Sequence, residues 1–82
     1  MRDSSQKELL KQAVTLAIND SWHDSHQIVQ DIHSSHAYWI HAVLHKIEGD
    51  ETNSRYWYGR AQQVYESFSD PKQELVFIKD KL

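Results

Sequence analysis

His41, His45 and Glu48 stand in the run His41-Ala42-Val43-Leu44-His45-Lys46-Ile47-Glu48. On a helix this spacing of i, i+4 and i+7 brings all three side chains to one side. Two imidazoles one turn apart can share a divalent cation, and a carboxylate a turn later can supply a third ligand. The zinc-protease helix is excluded. It needs a glutamate directly after the first histidine as general base, and Ala42 stands there. Two other readings use the same residues. Buried histidines can be satisfied by carbonyls, by tyrosine hydroxyls or by Glu48, forming a structural network. Alternatively, His26 approaches from a neighbouring helix, and Trp57, Tyr58 and Arg60 from another. The result is then a polar pocket in an aromatic frame that binds a small molecule or a partner's side chain.

Composition narrows the chemistry. The 82 residues include no cysteine, so thiolate metal sites, thiol nucleophiles and disulfides are excluded. No Ser-His-Asp arrangement can be read from the spacing, and no catalytic residue is assigned. Nine Lys and Arg are interspersed with twelve Asp and Glu, for a net charge of −3. Nucleic-acid binding needs a basic stripe, which this mixed surface lacks. No apolar run is long enough to cross a membrane. The stretch Met1-Arg2-Asp3-Ser4-Ser5-Gln6 reads as the approach to a mixed helix and not as a signal peptide, so the expected location is cytoplasmic. Six histidines make the charge unusually sensitive to pH.

Two glycines and one proline leave the chain to helices. The first is predicted from Gln6 to Ile18, with Ser5 as N-cap and Glu8 completing a capping box. The second starts at Trp22 behind Ser21, carries Val29 and Ile32 on its apolar face, and ends at His33-Ser34-Ser35. The third, His36 to Ile47, is apolar nearly all round, which marks a central helix. Gly49 suits its left-handed C-terminal cap. The fourth is predicted from Thr52 to Phe68. The last has Asp70 as N-cap and Pro71 at its first position, and its Leu75, Phe77, Ile78 and Leu82 cover an open end. His23, His33 and His36 fall near helix ends and are expected in solvent. Tyr56, Trp57 and Tyr58 surround one helix, so at least one of them faces outward.

The segment from Tyr38 to Ala61 resembles a tetratricopeptide repeat, whose pattern is W-x2-L-G-x2-Y, a turn, then A-x3-F-x2-A. The matching positions are Tyr38, His41, Ala42 and His45, then Gly49-Asp50, then Ser54, Tyr58 and Ala61. Small residues at 42, 54 and 61 let the two helices approach closely. Where the repeat has leucine and tyrosine inside the hairpin, this chain has His41 and His45. Gln6 to Ile32 reads as a degenerate second hairpin.

A longer pattern is carried by Trp22-His23-Asp24-Ser25-His26, by Tyr38 to Asp50 and by Asn53 to Ala61. It resembles a family of small all-α proteins with an A-H pair, then W-x-H-A-x-L-H-R-x-E-G-D, then N-A-x-Y-W-Y-R-R. Ser25, Lys46, Ser54 and Gly59 depart from that pattern. The resemblance implies the fold and the choice of site, not a reaction.

The expectation is an all-α domain spanning residues 1–82. Four to five helices form two antiparallel tetratricopeptide-like hairpins and a C-terminal capping helix. Its expected role is a binding module with a ligand site of His26, His41, His45, Glu48, Trp57, Tyr58 and Arg60. The partner is a protein, a peptide or a small molecule, and self-association would help so short a chain. No cofactor is required. A metal-binding protein or small metal-dependent enzyme, using His41, His45 and Glu48, is the alternative.

Overall fold

Helix-forming sequence broken at four points gives, among the described residues, five α-helices and one 3-10 turn. The computed structural model describes the backbone from Arg2 to Leu82 and the side chains from Ser5 onward. The helices are α1 (Arg2–Ile18), α2 (Trp22–Val29), α3 (Ser35–Glu48), α4 (Glu51–Ala61) and α5 (Pro71–Lys81), with the 3-10 turn at Tyr65–Ser67 between the last two. No strand occurs among the described residues, so the chain is all-α. The reading of Met1 to Gln6 falls in part on Met1 and on the side chains of residues 2–4, which lie outside the described residues.

Several boundaries follow the local chemistry. Ser34 is extended and its hydroxyl accepts the Ala37 amide, which caps α3. Gly49 closes α3 at φ 83°, a left-handed conformation that glycine adopts without penalty. Asp50 caps α4 by accepting the Asn53 amide, and the Asn53 side chain donates back to the other carboxylate oxygen at 2.7 Å. Asp70 and Pro71 start α5 as expected.

Three boundaries differ from the sequence reading. α1 begins at Arg2, so Ser5 sits inside the helix and caps nothing. α2 ends at Val29, which leaves Ile32 buried in the connection instead of on the helix. α4 ends at Ala61, not Phe68. Gln62 adopts φ 59°, and the amides of Gln62 and Gln63 turn back to the carbonyls of Gly59 and Tyr58. Nothing in the residue types at 62 and 63 signals this reversal. Its tertiary reason lies in the carbonyls that it frees at Tyr65 and Phe68, which Lys46 collects.

α1 pairs with α2, and α3 with α4, each through one repeated contact. The Ser25 hydroxyl donates to the Ala13 carbonyl on the facing helix at 2.7 Å. The Ser54 hydroxyl donates to the Ala42 carbonyl, also at 2.7 Å. Both serines are fully buried. A small residue opposite a small residue brings the backbones close, and the hydroxyl finds an acceptor that stays satisfied away from water. Further along α4, Trp57 and Arg60 meet Tyr38 near the start of α3, so the second pair is antiparallel. α5 packs across α1 and α3. α3 is central: Ala37, Trp39, Ile40, Ala42, Val43 and Leu44 are all buried.

The far end of α3 is fixed by a buried ion pair. The Glu74 carboxylate is 1% exposed. It accepts from Lys46 Nζ at 2.9 Å, Trp39 Nε1 at 2.8 Å and the Tyr58 hydroxyl at 2.7 Å. Lys46 also donates to the carbonyls of Tyr65 and Phe68. Burial and the neighbouring carboxylate push the Tyr58 phenol far above its ordinary range.

Candidate ligand-binding site

The histidines meet where the two hairpins touch. His26 is on α2, while His41 and His45 are one turn apart on α3. His26 Nε2 and His41 Nε2 are 3.1 Å apart. One donor nitrogen from each of His26, His41 and His45 falls within 4.8 Å of the others. The three rings contact one another, with centroids 4.7 Å (26 to 41), 5.0 Å (41 to 45) and 5.7 Å (26 to 45) apart.

Each ring is held from behind by a different residue. Trp22 stacks on His26 with centroids 4.8 Å apart, and its indole nitrogen is anchored on the Leu44 carbonyl at 2.6 Å. Trp57 stacks on His41 at 4.1 Å and 12°. Glu48 Oε1 lies 2.5 Å from His45 Nδ1. The carboxylate accepts the Nδ1 proton and so leaves Nε2 of His45 as the nitrogen with a free lone pair.

Burial and crowding weaken the hold of His41 and His26 on protons. His41 is pushed down to about 4, first by burial and then by the nearby His26 and His45. His26 is lowered by burial first and then by His45, with Glu48 opposing. At neutral pH, His41 is therefore an unprotonated imidazole. The 3.1 Å contact to His26 uses one ring as donor and the other as acceptor.

Five of the seven expected site residues come together: His26, His41, His45, Glu48 and Trp57. Two do not. Tyr58 points the other way, to Glu74, because it lies about 100° further round α4 than Trp57. Arg60 lies on the outer surface, with its guanidinium 4.8 Å from the Tyr38 ring centroid and 5.6 Å from that of Trp57, and it donates to the Tyr56 hydroxyl. Glu48 is placed as partner of His45 instead of alongside the other two as a third ligand. His23 and His33 are exposed and His36 is partly exposed, and none of the three joins the cluster, although His23 lies near enough to His26 to disfavour its charge.

Comparison with family models finds no match, and neither curated proteins nor solved structures give one. The site therefore has to be read from its own geometry.

Two features of the site escape the sequence. Trp22 is its second wall, yet its position at the start of α2 reads equally well as a core anchor. The Lys46–Glu74 pair underlies the site from the other side of α3. Its signal was present, because Glu74 shares the inward stripe of α5 with Leu75 and Ile78.

Proposed function

We propose that this protein is a small, non-catalytic helical binding module whose ligand site is the histidine cluster between its two hairpins. One observation carries the reading. Three histidines from two hairpins converge with nitrogens facing one another, and the buried one, His41, stands where the hairpin pattern has leucine. A structural network would face its polar atoms toward fixed partners, as Glu74 does. Here His26 Nε2 and His41 Nε2 face each other, and one proton serves both. Such an arrangement is a poor staple and a good set of donors for something added.

The test needs no knowledge of the ligand. Sites kept for binding lower the stability of the free fold, and apolar replacements recover it. His41 sits where the hairpin pattern has leucine and is 6% exposed. His41→Leu is expected to raise the melting temperature by about 4–8 °C, the shift that corresponds to ~1 kcal/mol in a domain of this size. His41→Met, a more pliable shape, checks that packing does not mask the gain. If both variants melt well below the wild type, the cluster is structural and the binding reading fails.

A further inference from the structure

We propose that the ligand of this site is one divalent transition-metal ion, held by the imidazoles of His26, His41 and His45 with one coordination position left open. The inference rests on reading the cluster as a ligand site.

The geometry matches the chemistry at three points. First, ligands about 2.0–2.1 Å from a tetrahedral ion are separated from each other by roughly 3.3 Å. His26 Nε2 and His41 Nε2 stand 3.1 Å apart before anything is bound, already close to that edge. Secondly, a metal-bound histidine characteristically donates its other ring N–H to a carboxylate, which fixes the tautomer and aims the free nitrogen. Glu48 holds Nδ1 of His45 in that way. Thirdly, the indoles stacked on His26 and His41 fix ring planes and limit the rearrangement needed on binding.

The donor set also selects the ion. Three imidazole ligands suit zinc, cobalt, nickel or copper in the divalent state. They do not suit calcium or magnesium, which take oxygen ligands. Among the described residues the group closes at three, so the fourth position falls to water or to an exogenous ligand. A second constellation, His45 with Glu48 and Asp50, is less suited. Glu48 is already engaged with His45, and both Asp50 oxygens are engaged with Asn53. The ion would join α2 to α3 and so fasten one hairpin to the other.

The test uses the full chain freed of metal with a chelator, and Co²⁺ and Zn²⁺ alone as probes. One equivalent of Co²⁺ is expected to produce the strong visible absorption of a four-coordinate ion, and one equivalent of Zn²⁺ to remove it. His26→Gln, on a partly exposed residue, is expected to abolish the band and weaken Zn²⁺ binding by about 100-fold or more, with His45→Gln as a second variant should the first not fold. Glu48→Gln is expected to weaken binding by roughly 10- to 100-fold. His23→Gln, on the exposed side of the same helix, is expected to change nothing, and Mg²⁺ to give no response. Absence of a band at one equivalent, or a band that survives both His26→Gln and His45→Gln, or one lost equally in His23→Gln, would overturn the inference. A silent cobalt titration together with a stabilised His41→Leu removes the metal and leaves the ligand site standing. A cobalt band together with a destabilised His41→Leu does the reverse to the argument from stability.

Discussion

The His41 imidazole and the Trp57 indole lie face to face, with ring centroids 4.1 Å apart and planes 12° from parallel. They belong to the two helices of one hairpin, and the stack is the closest aromatic contact of the site. It gives His41 its burial on the α4 side, and burial is the largest cause of its depressed basicity. Trp57→Ala is therefore expected to raise the His41 titration midpoint from about 4 towards the ordinary value near 6.5. Histidine ring-proton NMR across a pH series reads the midpoint directly. An unmoved midpoint would mean that the neighbouring histidines, not the indole, hold it down.

Acid should loosen the fold in a defined window. The folded protein resists protonating His41 and His26, whereas the unfolded chain takes up those protons near pH 6.5. The unfolded state then binds more protons, so stability falls as pH drops from about 6.5 to about 4, and is fully present above that range. The titratable groups acting on His41 and His26, besides each other, are His45, Glu48 and His23, with Asp50 beyond His45. Allowing for the solvent that reaches part of it, the cluster accounts for about 1–2 kcal/mol of the loss. Thermal melts at pH 7 and pH 4.5 should show a smaller drop in His41→Leu than in the wild type. Equal drops would assign the acid sensitivity to carboxylates elsewhere.

The Lys46–Glu74 pair should be the most fragile polar feature of the molecule. Removing one member of a buried ion pair leaves the other charge uncompensated, at a cost of roughly 3–5 kcal/mol. Lys46→Met strands the Glu74 carboxylate and frees the carbonyls of Tyr65 and Phe68. Urea denaturation should show that loss, with exchange protection falling first around the 3-10 turn. A change below about 1 kcal/mol would mean that water replaces the lysine easily.

Gly59 offers a gain. A Cβ at this position would meet nothing within 4 Å, so close helix approach is not the reason for a glycine there. Gly59→Ala should stabilise the protein by about 0.8–1 kcal/mol through helix propensity. An unchanged or lower melting temperature would indicate a constraint on this turn other than space.

The two hairpin serines can be compared with each other. Ser25→Ala and Ser54→Ala each remove one buried hydroxyl and leave a carbonyl on the facing helix without that donor. Each substitution should cost about 0.5–1.5 kcal/mol, and the two values should agree because the contacts are alike. A large difference in chemical denaturation would show that the hairpins are not energetically equivalent.

Much of this was legible in the chain, for physical reasons. Apolar spacing and the stop signals Gly49-Asp50 and Asp70-Pro71 act within a few residues, and they placed α3 and α5 well. The i, i+4 spacing put His41 and His45 on one face, with His26 expected to approach from the neighbouring helix. What failed was non-local. Gln62 turns left-handed because the segment after it has to reach Lys46, and no residue near 62 encodes that. Lys46 looked like part of a solvated mixed surface until α5 brought a carboxylate to it. Tyr58 and Arg60 were grouped with Trp57 by proximity in sequence. The helix then sent the three side chains to the interior ion pair, to the surface and to the histidines.

The most direct measurement is a zinc titration followed by NMR of the histidine ring nitrogens. The resonances of His26, His41 and His45 are expected to move together and stop at one equivalent. His45 should bind through Nε2 while its Nδ1–H keeps donating to Glu48, and His23, His33 and His36 should stay still. Changes confined to those three surface histidines, or a titration that continues without an end point, would contradict it.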